Sequence, residues 1–353
     1  MLLFTVGPVM MYQEVLDMSG EQLPYFRTDA FSDTMQSMEK SIKNMAGSDS
    51  TSVVSFITAS GTGAMEATVI NVFNKKDRLL IISGGSFGER FEEICEANSI
   101  EYDPVKIEHG ERLTEEKLMK YSTNSYSGML VNLNETSTGQ LYDINMLSNF
   151  CSKKGMTFVV DAISSFLADD INMVRDKIDV LIISSQKALA VAPGISIIIM
   201  NKRTYDDRVS SNNPNSFYFD LKKYCADQTR GQTPFTPAVG VLLQLRKMFD
   251  IIEKNGGTNQ KIIETQKMAV YFRSRIKEIG LKIPDYPLSN ALTPIIFNNG
   301  AYQIFEKLKN DYDMYVTPSG GKLRDCMIRV GHMGDLKNED YDKLIDAFKR
   351  VLS

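Results

Sequence analysis

Six short apolar runs recur along the first part of the chain: "SVVSFIT" (52–58), "RLLIIS" (78–83), "GMLVNL" (128–133), "MTFVVD" (156–161), "DVLIIS" (179–184) and "ISIIIM" (195–200). Continuous Val/Ile/Leu runs, without alternating polar positions, predict strands buried on both faces. Most intervals between them admit a crossover helix, which predicts an α/β fold with a mostly parallel sheet. The last interval is the exception. Ser184 and Ile195 are too close in sequence for a comfortable βαβ crossover, whose connection needs about ten residues or more, so an antiparallel turn-back is expected, with Lys187 in the loop.

Beyond Met200 the pattern changes. A polar, Asn/Ser/Tyr-rich stretch (201–228) reads as irregular surface structure, and "AVGVLLQLRKMFDIIEKNGG" reads as a helix stopped at Asn255-Gly256-Gly257. A second amphipathic helix is expected over 258–279, with Ile262, Ile263, Ala269, Phe272, Ile276 and Ile279 on its buried face. Strand-like 291–297, helix-like 302–310, strand-like 326–330 and a last helix over 338–352 complete the pattern. A chain of 353 residues exceeds the ~250–300 at which single cores stop growing, which predicts two units. The expected division is a large cofactor-binding unit over 15–256 and a smaller α+β unit over 257–353, with residues 1–14 packing near the latter.

Composition narrows the function classes. Hydrophobic residues at 43%, charged residues at 24% and a net charge of −4 describe an ordinary globular chain, with no general electrostatic attraction for nucleic acid or an anionic membrane. No apolar run approaches the ~18–20 residues that span a bilayer, and the start, "MLLFTVGPVMMYQEV", lacks a basic n-region. Four cysteines without CxxC spacing and two histidines indicate neither a disulfide framework nor a metal site. A cytoplasmic protein is the expectation.

Candidate chemistry sits at the ends of the apolar runs. "FITASGTGAMEATVINVF" (56–73) reads as strand, Gly-rich turn and helix, where backbone N–H groups can meet a phosphate; it is neither a Walker loop nor a dinucleotide fingerprint, and it reads equally well as a plain tight turn. Asp161 ends a buried strand, where it either serves a ligand or caps the following turn. Lys187 stands between two buried runs. An amine in such a setting titrates below ~10.4 and becomes a nucleophile toward carbonyls, whereas a snorkelling surface lysine is the plainer reading. Phe87 in "GGSFGER" offers a ring to a flat ligand or to the core. "NLNETSTG" offers the hydroxyls of Thr136, Ser137 and Thr138 to a ligand or to a cap. Arg329 in "MIRVGHMG" binds an anion or forms an internal salt bridge. A phosphate cradle, a strand-end aspartate and a strand-end lysine together are what pyridoxal 5'-phosphate requires.

"SGTGAMEA", "FGER", "ETSTG", "VVDAISS", "SSQKAL" and "IRVG", in this order, resemble the class V aminotransferases of the fold-type-I pyridoxal-phosphate superfamily. The chain resembles the alanine–glyoxylate and 2-aminoethylphosphonate–pyruvate aminotransferases among them, from "LLFTVGPV" to "IRVGHMG". The resemblance implies that Ser60, Gly61, Thr62 and Gln186 bind the cofactor phosphate and Phe87 stacks on its ring. It implies that Thr136 reaches the phenolic oxygen, Asp161 the pyridine nitrogen, and Lys187 the Schiff base. Arg329 would receive a substrate carboxylate, and Thr233 in "RGQTPFTP" would complete the site of a partner subunit in a homodimer. Ping-pong transamination from a small amino donor to a 2-keto acid follows as the expected reaction. A cysteine desulfurase, a nicotinamide dehydrogenase and a non-catalytic binding module are the competing readings. The desulfurase reading would need a mobile reactive cysteine, and Cys326 falls in an apparent strand.

Overall fold

The computed structural model describes residues 1–352. Its centre is a seven-stranded sheet made from six of the anticipated runs plus one edge strand: β1 (Val53–Thr58), β2 (Arg78–Ser83), β3 (Glu101–Lys106), β4 (Gly128–Asn132), β5 (Thr157–Asp161), β6 (Val180–Ser184) and β7 (Ile195–Met200). The spatial order is β1-β7-β6-β5-β4-β2-β3. All pairings are parallel except those of β7, which runs antiparallel to both β6 and β1. The short link after Ser184 is therefore a turn-back, as its length requires.

Burial on both faces explains the unbroken apolar runs. Phe158, Val160, Leu181 and Ile183 join a cluster with Phe31, Met35 and Met38 of α1 (Asp29–Met45), Leu147 of α4 (Ile144–Lys154) and Leu245 of α6 (Val239–Lys254). The alternate residues Val159, Ile182 and Ile198 pack on the other face with Ala64 and Met65 of α2 (Gly61–Val72), Phe91 of α3 (Ser86–Ala97) and Tyr224 of α5 (Leu221–Gln228). Local signals start these helices: Thr28, Ser60 and Asp143 accept backbone N–H bonds at the first turns of α1, α2 and α4.

A third cluster surrounds a small antiparallel sheet in the order β8-β10-β9, formed by β8 (Leu292–Ile296), β9 (Thr317–Pro318) and β10 (Met327–Gly331). Phe272 and Ile276 of α7 (Gly257–Glu278), Leu308 of α8 (Ala301–Tyr312) and Phe348 of α9 (Asn338–Leu352) cover it. The start of the N-terminal segment belongs to this region, with Phe4 in the same cluster and Leu2–Leu3 paired parallel to Met314–Tyr315, whereas Val6 and Val9 pack in the cluster of the large sheet.

Two readings need correction. The stretch 201–228 is not irregular throughout: it holds short helical turns at Lys202–Thr204 and Tyr205–Val209 and the capped helix α5, whose Leu221, Tyr224 and Cys225 are buried. Three apolar contacts spaced at one helical turn suffice to hold a helix inside an otherwise polar sequence. In α7, Ile263 is exposed and Lys261 is buried, because the inward stripe runs Lys261, Thr265, Ala269, Phe272 and Ile276. Lys261 is accommodated by donating to the Tyr12 hydroxyl at 2.6 Å.

Candidate active site

The carboxyl ends of β4, β5 and β6 are brought level by the sheet register, which pairs Asn132 with Asp161 and Asp161 with Ile182. Asp161 is only 5% exposed. One carboxylate oxygen accepts the Ile163 N–H at 2.8 Å and the other accepts from the Asn132 amide. Among the described residues no cation forms an ion pair with it. Burial pushes Asp161 up to about 7, opposed by those two bonds and by the positive charge of Lys187.

Lys187 follows β6 on a tight turn closed by Ala190 N–H to Lys187 C=O at 2.8 Å, with Ala190 at φ 50°. Its Nζ is buried and donates to the Val6 carbonyl at 2.7 Å. Burial, then the Arg329 and Arg90 charges, pull the amine down to about 8, while Asp161 pulls the other way. The N-terminal segment forms a wall here. A Cβ on Gly7, which has φ +129°, would lie 2.6 Å from Lys187 Cδ. Gly7→Ala is therefore expected to lower stability by roughly 1–3 kcal/mol through strain and overlap. Urea unfolding of both proteins checks this, and equal midpoints would show that Gly7 does not pack on Lys187.

The α2 N-terminus faces the same edge. Ser60 caps Gly63 N–H at 3.3 Å, and Gly61 is so close to Ile163 that a Cβ would meet Ile163 Cδ1 at 2.5 Å. Gln186 is tied to this turn through hydroxyls: Ser184 Oγ donates to Gln186 Oε1 at 2.7 Å and contacts Ser196 Oγ at 3.0 Å, and Ser196 Oγ donates to Ala59 C=O at 3.2 Å. Arg90 of α3 donates to the Thr62 hydroxyl at 3.2 Å and lies 4.7 Å from the centroid of the half-buried Phe87 ring.

Arg329, on β10, crosses from the small sheet to the loop after β4. Its Nη1 donates to Thr136 C=O at 2.9 Å and its Nη2 to Pro318 C=O at 2.8 Å, while its buried Nε has no partner among the described residues. No carboxylate among the described residues pairs with it, so the salt-bridge alternative is not what is found. Burial pulls this guanidinium down to about 10, with Glu135 opposing. The Thr136 hydroxyl contacts Ser164 Oγ at 2.8 Å. Thr233 stands apart, its hydroxyl donating to Phe235 C=O at 2.7 Å and its own carbonyl accepting from Arg27.

Asn132, Ile163, Ser164, Glu135 and the Val6–Gly7 segment belong to the site but were not singled out from the sequence. Asn132 and Glu135 carried a signal, being polar side chains at and just beyond the end of a buried strand; the Val6–Gly7 contact depends on folding across 181 positions and carried none. A cavity of about 590 Å³ lies elsewhere, at the amino ends of β5 and β6, where Arg203 pairs with Asp179 at 3.1 Å. Cys326 precedes β10 rather than lying in it, and Cys95 and Cys225 are buried with thiols pushed up to about 12.

The donor set suits pyridoxal 5'-phosphate. A buried carboxylate with only neutral donors matches a protonated pyridine nitrogen, a lowered amine matches an aldehyde carbon, and a capped helix N-terminus with two glycines matches a phosphate. The architecture is that of fold-type-I pyridoxal-phosphate enzymes. The chain belongs to the class V aminotransferases, whose family model, "Aminotransferase class-V", matches residues 20–297. It is 28% identical over 338 residues to an uncharacterized aminotransferase of Helicobacter pylori, covering 95% of this chain and 89% of that one. It is 26% identical over 302 residues to a 2-aminoethylphosphonate–pyruvate transaminase of Phocaeicola vulgatus, covering 83% and 82%. The crystal structure of an alanine–glyoxylate aminotransferase from Nostoc shares the fold with a TM-score of 0.92, at 24% identity and covering 100% of this chain and 95% of that one.

Proposed function

We propose that this enzyme transfers an amino group from a small donor, namely alanine, serine or 2-aminoethylphosphonate, to pyruvate or glyoxylate by ping-pong transamination. The observation that carries the reading is Arg329: a buried guanidinium with an unpaired Nε, whose charge acts on the Lys187 amine. An anion receptor beside a nucleophilic amine is suited to a keto or amino acid held by its acid group. The Phocaeicola relative, a 2-aminoethylphosphonate–pyruvate transaminase, and the Nostoc alanine–glyoxylate aminotransferase support two of these donors and both acceptors.

When bound, pyridoxal 5'-phosphate supplies an aldehyde for the amino group and a ring that withdraws electrons from the substrate carbon. Ser60, Gly61, Thr62 and Gln186 would hold its phosphate, Phe87 its ring face, Thr136 its phenolic oxygen and Asp161 its nitrogen. Lys187 would hold the aldehyde carbon, and its amine, held at about 8, would serve as the base that takes a proton from the donor's reacting carbon. The Val6 carbonyl, which already accepts from Nζ, orients that amine. We also place the site in a cytoplasmic homodimer in which Thr233 completes the partner's phosphate contacts. Residues 15–256 form the cofactor-binding unit, and 257–353 with 1–14 form the smaller one.

The test is a matrix of the three donors against the two acceptors, following the new keto acid. At least one pair should turn over well above the rate without enzyme. The purified protein should be yellow and should bleach with borohydride. A colourless protein inactive with every pair would overturn the proposal.

A further inference from the structure

Glu135 is a buried carboxylate with no assigned role. It is 1% exposed, in the short strand Asn134–Glu135 that follows β4 and forms a hairpin with Gln140–Leu141, and its partners include the first turn of a separate helix. Oε2 accepts the Gly88 N–H at 3.0 Å and Oε1 accepts the Phe87 N–H at 3.4 Å, both in the first turn of α3. Oε1 also accepts the Ser137 N–H at 3.1 Å and the Ser137 hydroxyl. Every recorded partner is a donor, so the group is used as a carboxylate. The fit is close: a Cβ on Gly85 would lie 2.2 Å from Ser137 Oγ and 2.7 Å from Glu135 Cδ.

We infer that Glu135 is the positioning residue that sets the stacking ring of Phe87 against the cofactor, by clamping the first turn of α3 to the loop carrying Thr136. The inference rests on the proposed pyridoxal-phosphate site. Glu135 itself touches no reacting atom. It acts because its two oxygens fix the backbone of Phe87 and Gly88, while the adjacent residue Thr136 offers its carbonyl to Arg329. One buried anion thereby ties the ring-stacking residue and the anion-binding arginine to a single hairpin. The helix N-terminus favours the negative charge, which helps to offset the desolvation that raises this carboxyl above its usual range.

Glu135→Gln is the discriminating substitution, since it keeps the shape but replaces one acceptor with an NH2 donor. Whichever way the amide turns, an N–H of Gly88 or those of Phe87 and Ser137 then face a donor. Full-length wild type and variant are stripped of cofactor and titrated with pyridoxal 5'-phosphate, recording absorbance and the circular dichroism of the bound chromophore. The expected result is a dissociation constant about tenfold higher for the variant, the effect of losing one such bond, together with a changed dichroism at saturation. The changed dichroism would not follow from a loss of stability alone. Ser137→Ala, which removes a single hydroxyl donor, should shift affinity in the same direction by less, and it decides the matter if Glu135→Gln does not fold. Unchanged affinity and dichroism in the folded variants would overturn the role of Glu135. Failure of the wild type to bind would instead overturn the proposed site.

Discussion

Replacing Lys187 with alanine abolishes steady-state transamination at every pH and leaves a folded protein. The first half of this expectation follows from chemistry, since among the described residues no other amine occupies the end of β6 between Asp161 and Arg329. An amine held at about 8 is neutral in roughly a tenth of molecules at pH 7, against well under a thousandth of free lysines, so the environment has raised its nucleophilic fraction considerably. The second half follows from linkage. A lysine whose folded pKa lies below its unfolded value costs stability when protonated, a cost complete below about pH 8 and absent above ~10.4. Alanine removes that buried charge, although it also leaves a cavity and one carbonyl, that of Val6, without its donor. Thermal unfolding of the cofactor-free proteins should therefore show Lys187→Ala faring better relative to wild type at pH 6 than at pH 10. Retained turnover in the variant would refute the assignment of Lys187.

Why the sequence disclosed Lys187 and Asp161 but not their surroundings has a physical answer. Both residues terminate apolar runs, and a run buried on both faces fixes the position of its last residue in the sheet, so sequence order alone sets them on one edge. The turn-back at Ser184–Ile195 was legible for the same reason, from a connection too short to cross the sheet. Arg329 was legible as a cation out of place in an apolar strand, but its partners, Thr136 and Pro318 carbonyls, are backbone atoms with no residue-type signature. Glu135 and Asn132 lay within the motif that drew attention to Thr136. They were passed over because a polar residue in a loop reads as solvated unless its burial is known. Lys261 and Ile263 failed differently: an isoleucine usually outcompetes a lysine for the inward face, and here the nearby Tyr12 hydroxyl reverses that preference. Thr233 was placed through family likeness, and its recorded contacts within the chain are with Phe235 and Arg27.

Asp161→Asn should separate function from stability more sharply than any other change at this site. In the cofactor-free protein the carboxyl is held at about 7 by burial, above the ~3.9 of an unfolded chain. A raised folded pKa in an acid means the unfolded state ionises first. The native state is thus disfavoured increasingly from about pH 4 to 7 and fully above that, with no such cost at lower pH where both states are protonated. Asparagine carries no charge to desolvate, and the Asn132 amide, whose Oδ1 has no partner among the described residues, can turn to accept from the new NH2, so the cofactor-free variant should melt higher than wild type at pH 8, with the difference shrinking toward pH 4. Activity should move the other way. A neutral amide cannot give a protonated pyridine nitrogen the charge-assisted bond that a carboxylate supplies, worth ~1.5–3 kcal/mol, so kcat/KM should fall by roughly tenfold to more than a hundredfold. The fall should persist at saturating cofactor, because the missing interaction is with the reacting ring rather than with its phosphate. Melting curves across pH and kcat/KM at saturating pyridoxal 5'-phosphate test both halves. A variant less stable at pH 8 yet fully active would show that Asp161 is a structural cap supported by the Ile163 and Asn132 donors and takes no part in the chemistry.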